Sequence, residues 1–237
     1  MPPATLLLLH EGLGSVSMWR NFPSRLAAAT GCNVLAYSRL GYGESDPCKI
    51  PREVNYMHLE GQEVLPQVIS QIDSTEIVLI GHSDGASIAA IYAGDNPDIR
   101  IKSIVLMAPH FFTENLALKS IEAAKEAYEL GDLRKRLERY HGANTDSAFY
   151  GWNGAWLNPA FKDWDITEFL PQISVPILLL QGKQDQYGSN AQLEVVKQRC
   201  DVEVETCILE DCRHSPHLEQ EQRTIGAISS FLHNVSL

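Results

Sequence analysis

A chain of 237 residues that is 44% hydrophobic and 21% charged can bury one large core, with room for an insertion but not for several independent domains. Its net charge of −11 argues against nucleic acid and anionic membrane surfaces as partners, since both call for clustered Lys and Arg, and no apolar stretch approaches the length of a membrane span. Five cysteines, an odd number without a Cys-x-x-Cys pair, fit a reduced compartment better than a disulfide framework or a zinc site. The short leucine run at residues 6–9 lacks the basic flank and length of a signal peptide, so the expected location is the cytoplasm.

In chain order, compact apolar runs at residues 5–9, 34–37, 77–80, 103–107, 175–181 and 202–209 predict strands. Most lack strict alternation, the pattern of strands covered on both faces. Helical periodicity falls between them, at 18–29, 54–72, 83–94, 190–200 and 217–232. Alternating strands and helices imply an α/β class with a mostly parallel sheet of about six strands, whose ligands bind beyond the carboxyl ends of the strands.

The alternation breaks between Met107 and Val175, where a helical segment is expected instead. Thr113 is placed to cap a helix running to Leu130 and stopped by Gly131, and Asp132 to cap a second ending near Gly142. Eleven of the nineteen aromatic residues lie between Phe111 and Phe169, including Trp152 and Trp156. A cap over an apolar pocket explains that enrichment; the packing needs of a small helical layer are the alternative.

The most informative stretch is Ile77-Val-Leu-Ile-Gly81-His-Ser83-Asp-Gly85, an apolar strand driven through Gly-x-Ser-x-Gly into a helix-like Ala86-Ser-Ile-Ala-Ala-Ile-Tyr-Ala93. This is the setting of a nucleophile elbow, in which Ser83 sits in a strained conformation and side chains at 81 and 85 would collide with their neighbours. A serine hydroxyl is a poor nucleophile at neutral pH, so it needs a base, and the base needs an orienting acid. His214 follows the last strand and Asp185 follows the strand before it, both at carboxyl ends, with Asp201 and Asp211 as less well placed acids. His217 could be mistaken for the base or, with His214, for a metal pair, but it opens the terminal helix and suits a helix-start role or one supporting the site from behind; His82 is expected to pack beneath the elbow.

With its Gly-x-Ser-x-Gly turn and Ser, Asp, His order, the chain resembles the α/β-hydrolase-fold serine hydrolases over nearly its whole length. The resemblance implies a three-layer α/β-hydrolase fold with helices on both faces of the sheet, a core formed by residues 1–109 and 172–237, a helical cap at 110–171, and a Ser83, Asp185, His214 triad. It also implies an oxyanion hole built from the Asp84 amide and a second amide from His10-Glu-Gly-Leu-Gly-Ser15, with Gly12 the choice and Leu13 the near rival. Glu11 departs from the glycine that relatives often carry, and the family's opening hairpin has no counterpart before the first run. The stretch Arg39-Leu-Gly-Tyr-Gly-Glu-Ser45 matches one that is structural in the family.

The activity implied is hydrolysis of a small-molecule carboxylic ester without metal or organic cofactor, with Leu13, Trp152 and Trp156 in the substrate pocket. Carbon–carbon bond hydrolases and prolyl aminopeptidases share the serine; a lyase or perhydrolase and a non-hydrolytic receptor with the same pocket are further alternatives. An unpaired sheet edge could support a homodimer.

Overall fold

The computed structural model describes residues 3–96 and 98–237. Six strands, β1 (Thr5–Leu9), β2 (Asn33–Ala36), β3 (Ile77–His82), β4 (Ile101–Met107), β5 (Ile177–Gly182) and β6 (Val204–Leu209), form one sheet in the order β2-β1-β3-β4-β5-β6. Every pairing is parallel. β1, β3 and β5 are buried at every residue, which is why their sequences run apolar without alternation. β2 and β6 lie at the edges and are only partly covered.

Side-chain alternation along these strands divides the interior into two cores. Leu6, Leu8, Val78, Ile80, Val105 and Met107 point to one face, where they meet Trp19 from the turn before α1 (Phe22–Thr30), Phe22 and Leu26 from α1, and Ile228 and Phe231 from the C-terminal helix. Leu7, Leu9, Ile77, Leu79, Ile104 and Leu106 point to the other. There they pack against α2 (Tyr56–Leu59), α3 (Leu65–Ser70), α4 (Asp84–Asp95) and residues of the β4–β5 segment. The chain leaves β1 by one face and returns from β2 by the other, so the crevice between the ends of β1 and β3 is the topological switch point where such sheets bind ligands.

Three expected helices are interrupted, each for a local reason. Pro23 cannot donate within a helix interior, so the stretch at 18–29 divides into a 3-10 turn, Val16–Trp19, and α1, with Arg20 at φ 54 between them. The stretch at 54–72 widens into a π turn, Glu60–Val64, directly before Pro66, whose missing N–H leaves the ladder free to open. Gln220, at φ −134 and ψ 48, separates α9 (Pro216–Glu219) from α10 (Glu221–Asn234). α8 (Ala191–Arg199) lies between β5 and β6 as expected.

The β4–β5 segment is helical: α5 (Asn115–Glu129), α6 (Leu133–His141) and α7 (Thr145–Trp156), then two 3-10 turns. Neither expected cap forms. Thr113 Oγ1 donates instead to Phe161 O at 2.7 Å, and Asp132 pairs with Arg136 at 3.3 Å, so both side chains are committed to tertiary or surface contacts. The aromatic enrichment has two uses. Tyr128 stacks on Phe149 and Phe161 on Trp164 within the segment, whereas Trp152 and Trp156 turn toward the ends of the strands.

Candidate functional site

Ser83 follows β3 and precedes α4, at φ 53 and ψ −119, a conformation that costs free energy for any residue with a Cβ and that aims its side chain out of the sheet. Both flanking glycines are required by close approach. A Cβ on Gly81 would run into the backbone of Gly85 and Ala86, and one on Gly85 would strike the carbonyl oxygen of Leu9 in the neighbouring strand. Backbone cannot yield as a flexible side chain can, so Gly85→Ala is expected to cost about 3 kcal/mol or more, or to abolish folding. Urea denaturation measures this, and an unchanged midpoint would show that β1 and the elbow separate without penalty.

The three residues expected to act together converge. Ser83 Oγ lies 2.9 Å from His214 Nε2, and His214 Nδ1 lies 2.9 Å from each oxygen of Asp185. Asp185 lies in the loop after β5, where further donors reach it: Gln181 Nε2 from the end of β5 at 2.7 Å, and from the loop itself Tyr187 N–H at 2.8 Å and Gly188 N–H at 3.3 Å. Burial alone would raise its pKa, but the charge and hydrogen bond of His214 and the Tyr187 N–H outweigh this and hold the carboxyl below its ordinary value. Neither Asp201 nor Asp211 forms a hydrogen bond with His214 among the described residues.

Opposite Ser83, residues Glu11 to Gly14 form a turn closed by Gly14 N–H to Glu11 O at 3.1 Å. Among the described residues the amides of Gly12 and Leu13 have no hydrogen-bond acceptor, nor does that of Asp84 at the start of α4, where helix amides are unpaired by construction. The turn is braced from behind. Arg39 Nη2 donates to Glu11 O at 2.9 Å and Nη1 to His10 O. His10 accepts from Arg39 N–H at 3.0 Å through Nε2, which leaves its Nδ1 to donate to Glu11 O at 2.8 Å. Arg39 therefore carries a role that its place in a family motif does not announce. From the front, the indole of Trp152 rests on Gly12 so closely that no Cβ would fit.

A second layer ties the loops together. His82 donates from Nε2 to the carbonyl of His214 at 2.7 Å, and its Nδ1 lies 3.4 Å from Glu11 Oε2. Burial opposes charge on His82, but Glu11, the His214 carbonyl and Asp185 together raise its pKa. For Glu11, burial would raise the pKa, yet His82 and the neighbouring histidines hold the carboxylate well below its usual range. His82 thus links the turn, the elbow and the His214 loop rather than serving as filler beneath the serine. His217 stands behind His82, ring centres 4.8 Å apart, and is buried against Trp19 and Phe22, where burial lowers its pKa.

These groups surround a cavity of about 240 Å³ lined by Gly12, Leu13, Ser83, Asp84, Trp152, Trp156, His110 and His214, among others. The Asp84 carboxyl is fully buried, accepts a hydrogen bond from Tyr56 OH at Oδ2, and leaves Oδ1 without a partner. Burial raises its pKa against the opposing pull of Arg39, Tyr56, Trp156 and Arg52. Trp156 Nε1 completes the arrangement by donating to Tyr56 OH at 3.0 Å. His110 is kept neutral by burial and by the neighbouring His214, its pKa pushed down to about 3. Neither Tyr56 nor His110 carries a local sequence signal, because each reaches the cavity only through the packing of distant elements.

The model of the alpha/beta hydrolase family matches residues 6–227. A proline iminopeptidase of Saccharolobus solfataricus is 26% identical, with 97% of this chain and 85% of that protein covered. Another, from Lactobacillus delbrueckii subsp. bulgaricus, is 27% identical over 74% of this chain and 58% of its own length. Among solved structures, a carboxylesterase of Nitrososphaera gargenis superposes with a TM-score of 0.79 at 16% identity, covering 99% of this chain and 91% of that one. A thermophilic esterase of Thermogutta terrifontis does so with a TM-score of 0.74 at 19% identity, covering 100% and 92%. Those structures share the fold, the family match runs through every strand of the sheet, and the chain belongs to the alpha/beta hydrolase family.

Proposed function

We propose that the protein hydrolyses a small to medium carboxylic ester through an acyl-enzyme. The observation that carries this reading is the continuous Ser83–His214–Asp185 hydrogen-bond chain facing unpaired amides. Ser83 attacks the ester carbonyl while His214 Nε2 takes the hydroxyl proton, and His214 then delivers that proton to the departing alcohol. Asp185 holds the imidazole tautomer and stabilises the imidazolium. The amides of Asp84 and Gly12 receive the oxyanion, with Leu13 the neighbouring donor. Water, activated by the same histidine, releases the acid.

The β4–β5 helices act as a cap that closes the pocket through Trp152 and Trp156. At about 240 Å³ the cavity falls below the roughly 300–1,000 Å³ of sites for drug-sized ligands, which favours short acyl groups. The carboxyls of Glu11 and Asp84 on its wall disfavour anionic ones. Hydrolysis of p-nitrophenyl esters of graded acyl length tests the reading: a short-chain optimum that Ser83→Ala abolishes supports it, and inactivity of the folded wild type on every ester overturns it. If the cap selects substrate, Trp152→Ala will raise KM for a bulky acyl ester about tenfold more than for acetate, the scale of a few lost apolar contacts. Trp156→Ala should act in the same direction with a larger loss of stability, since Trp156 also holds Tyr56 and packs on Phe161. Equal effects on both esters would remove these residues from substrate selection.

A second reading, cleavage of an N-terminal proline, is supported by the Saccharolobus relative, whose match spans 97% of this chain. Proline p-nitroanilide turned over in preference to every ester would move the assignment there.

A further inference from the structure

We propose that His141 is a positioning residue for the oxyanion turn, through which the cap sets the direction of the amides opposite Ser83. This rests on the hydrolase reading above and adds to it a residue that lies outside the acid, base and nucleophile.

His141 ends α6 and is 2% exposed. Its ring bridges two backbone groups from separate parts of the core: Gly43 N–H donates to Nδ1 at 3.0 Å, and Nε2 lies 2.9 Å from the carbonyl oxygen of Leu13. An amide aimed at Nδ1 makes that nitrogen an acceptor, so Nε2 carries the proton and donates it to Leu13 O. The ring is therefore held as a single neutral tautomer, and burial lowers its pKa in the same sense. Asn144, three residues on, extends the attachment by donating to Gly43 O at 3.1 Å and Ser45 O at 2.7 Å. Tyr42 packs edge-on against both His141 and His10, at 6.0 and 5.0 Å between ring centres, so the latch and the rear brace of the turn share one wall.

The consequence follows from which groups of the turn are occupied. His10 O and Glu11 O are taken by Arg39, and Glu11 O also by His10 and Gly14. Leu13 O is taken by His141. What is left facing the cavity is the pair of amides at Gly12 and Leu13. A peptide plane joins each carbonyl to the next residue's N–H, so the bonds to Glu11 O fix the Gly12 N–H directly. The bond to Leu13 O fixes the Leu13–Gly14 plane and leaves the Gly12–Leu13 unit, which carries the Leu13 N–H, held between two anchored planes. The turn is thus held by the core on one side and by the cap on the other, with His141 the only cap side chain hydrogen-bonded to it among the described residues.

Three variants separate positioning from packing. His141→Phe keeps a ring of similar size and loses both hydrogen bonds. His141→Asn can keep the bond from Gly43 but is too short to reach Leu13 O. His141→Gln carries an acceptor and a donor at a spacing close to that of the two ring nitrogens. The readouts are kcat and KM for p-nitrophenyl acetate and the inhibition constant of phenylboronic acid, which forms a tetrahedral adduct with the serine, with each fold checked by urea denaturation. Because a displacement of about 1 Å in such donors can cost on the order of 100-fold, His141→Phe and His141→Asn are expected to lower kcat about 30- to 100-fold. Their KM should move less than about threefold, and boronate inhibition should weaken in parallel with kcat. His141→Gln should recover to within about fivefold of wild type.

A folded His141→Asn or His141→Phe with kcat within about threefold of wild type overturns the proposal, as does a loss of rate with unchanged boronate affinity. If His141→Phe fails to fold, His141→Asn decides alone. A wild type without esterase activity overturns the hydrolase reading and this proposal together, whereas an active wild type with unimpaired variants overturns the latch only.

Discussion

Ser83→Ala and His214→Ala are each expected to lower kcat for a p-nitrophenyl ester by about 10⁵- to 10⁶-fold, and the double variant to lose no more than either alone. In the proposed mechanism nucleophile and base form one device, since the Ser83 hydroxyl is hydrogen-bonded to His214 Nε2 at 2.9 Å. Without the base the hydroxyl stays protonated, and without the hydroxyl the base has nothing to activate but water. The activity that survives should come from the amides of the turn and of α4, which neither substitution touches. Ser83→Ala removes one oxygen and keeps the Cβ that the φ 53 backbone already accommodates, so its circular dichroism and urea midpoint should match wild type. Losses that multiply in the double variant would show that the two residues serve separate steps.

Asp185→Asn should cost about 10⁴-fold in kcat near neutral pH, although the two side chains have nearly the same shape. Asp185 receives only donors: His214 Nδ1, Gln181 Nε2, and the N–H groups of Tyr187 and Gly188. An asparagine must turn its NH2 toward some of them. If it meets His214, the ring adopts the opposite tautomer and presents a proton to Ser83 instead of a lone pair. The carboxylate's contribution to stability has a defined pH range. Because the folded state depresses the Asp185 pKa, that contribution is present above the unfolded value of about 3.9 and is lost as pH falls through the lower folded value. Acid unfolding of wild type and Asp185→Asn should therefore converge below about pH 4, and curves that stay parallel there would contradict the assignment.

Sheet and site were legible in the sequence to different degrees. All six strands could be read from apolar runs, most plainly where coverage on both faces leaves no room for polar alternation, as in Leu6 to Leu9 and Ile77 to Ile80; the edge strands β2 and β6 are only partly covered. The convergence of Ser83, Asp185 and His214 was legible because each follows the carboxyl end of a strand, where local pattern and chain order agree. The breaks at Arg20 and Gln220 were missed because apolar periodicity continues across them. Pro23 was a readable signal that the first helix could not begin as early as residue 18. Thr113 and Asp132 have the chemistry of caps, but a better partner in space took each side chain. The residues holding the site from behind, His10, Arg39, Tyr56, His82 and His141, act through contacts across as many as 132 positions of sequence. No spacing rule along the chain can show them.

In the proposed mechanism, the edge position of β6 also governs when the chain becomes reactive. β6 pairs with β5 alone, and His214 follows it, so the base reaches Ser83 only after the outermost strand has docked. On the ribosome the nucleophile, the turn and the acid emerge first, and a nascent chain halted before Val204 would hold all of them without a proton acceptor. On that mechanism, completion of the sheet would be the step that switches on chemistry, and a destabilised β6 edge would silence the protein while most of its fold remained intact.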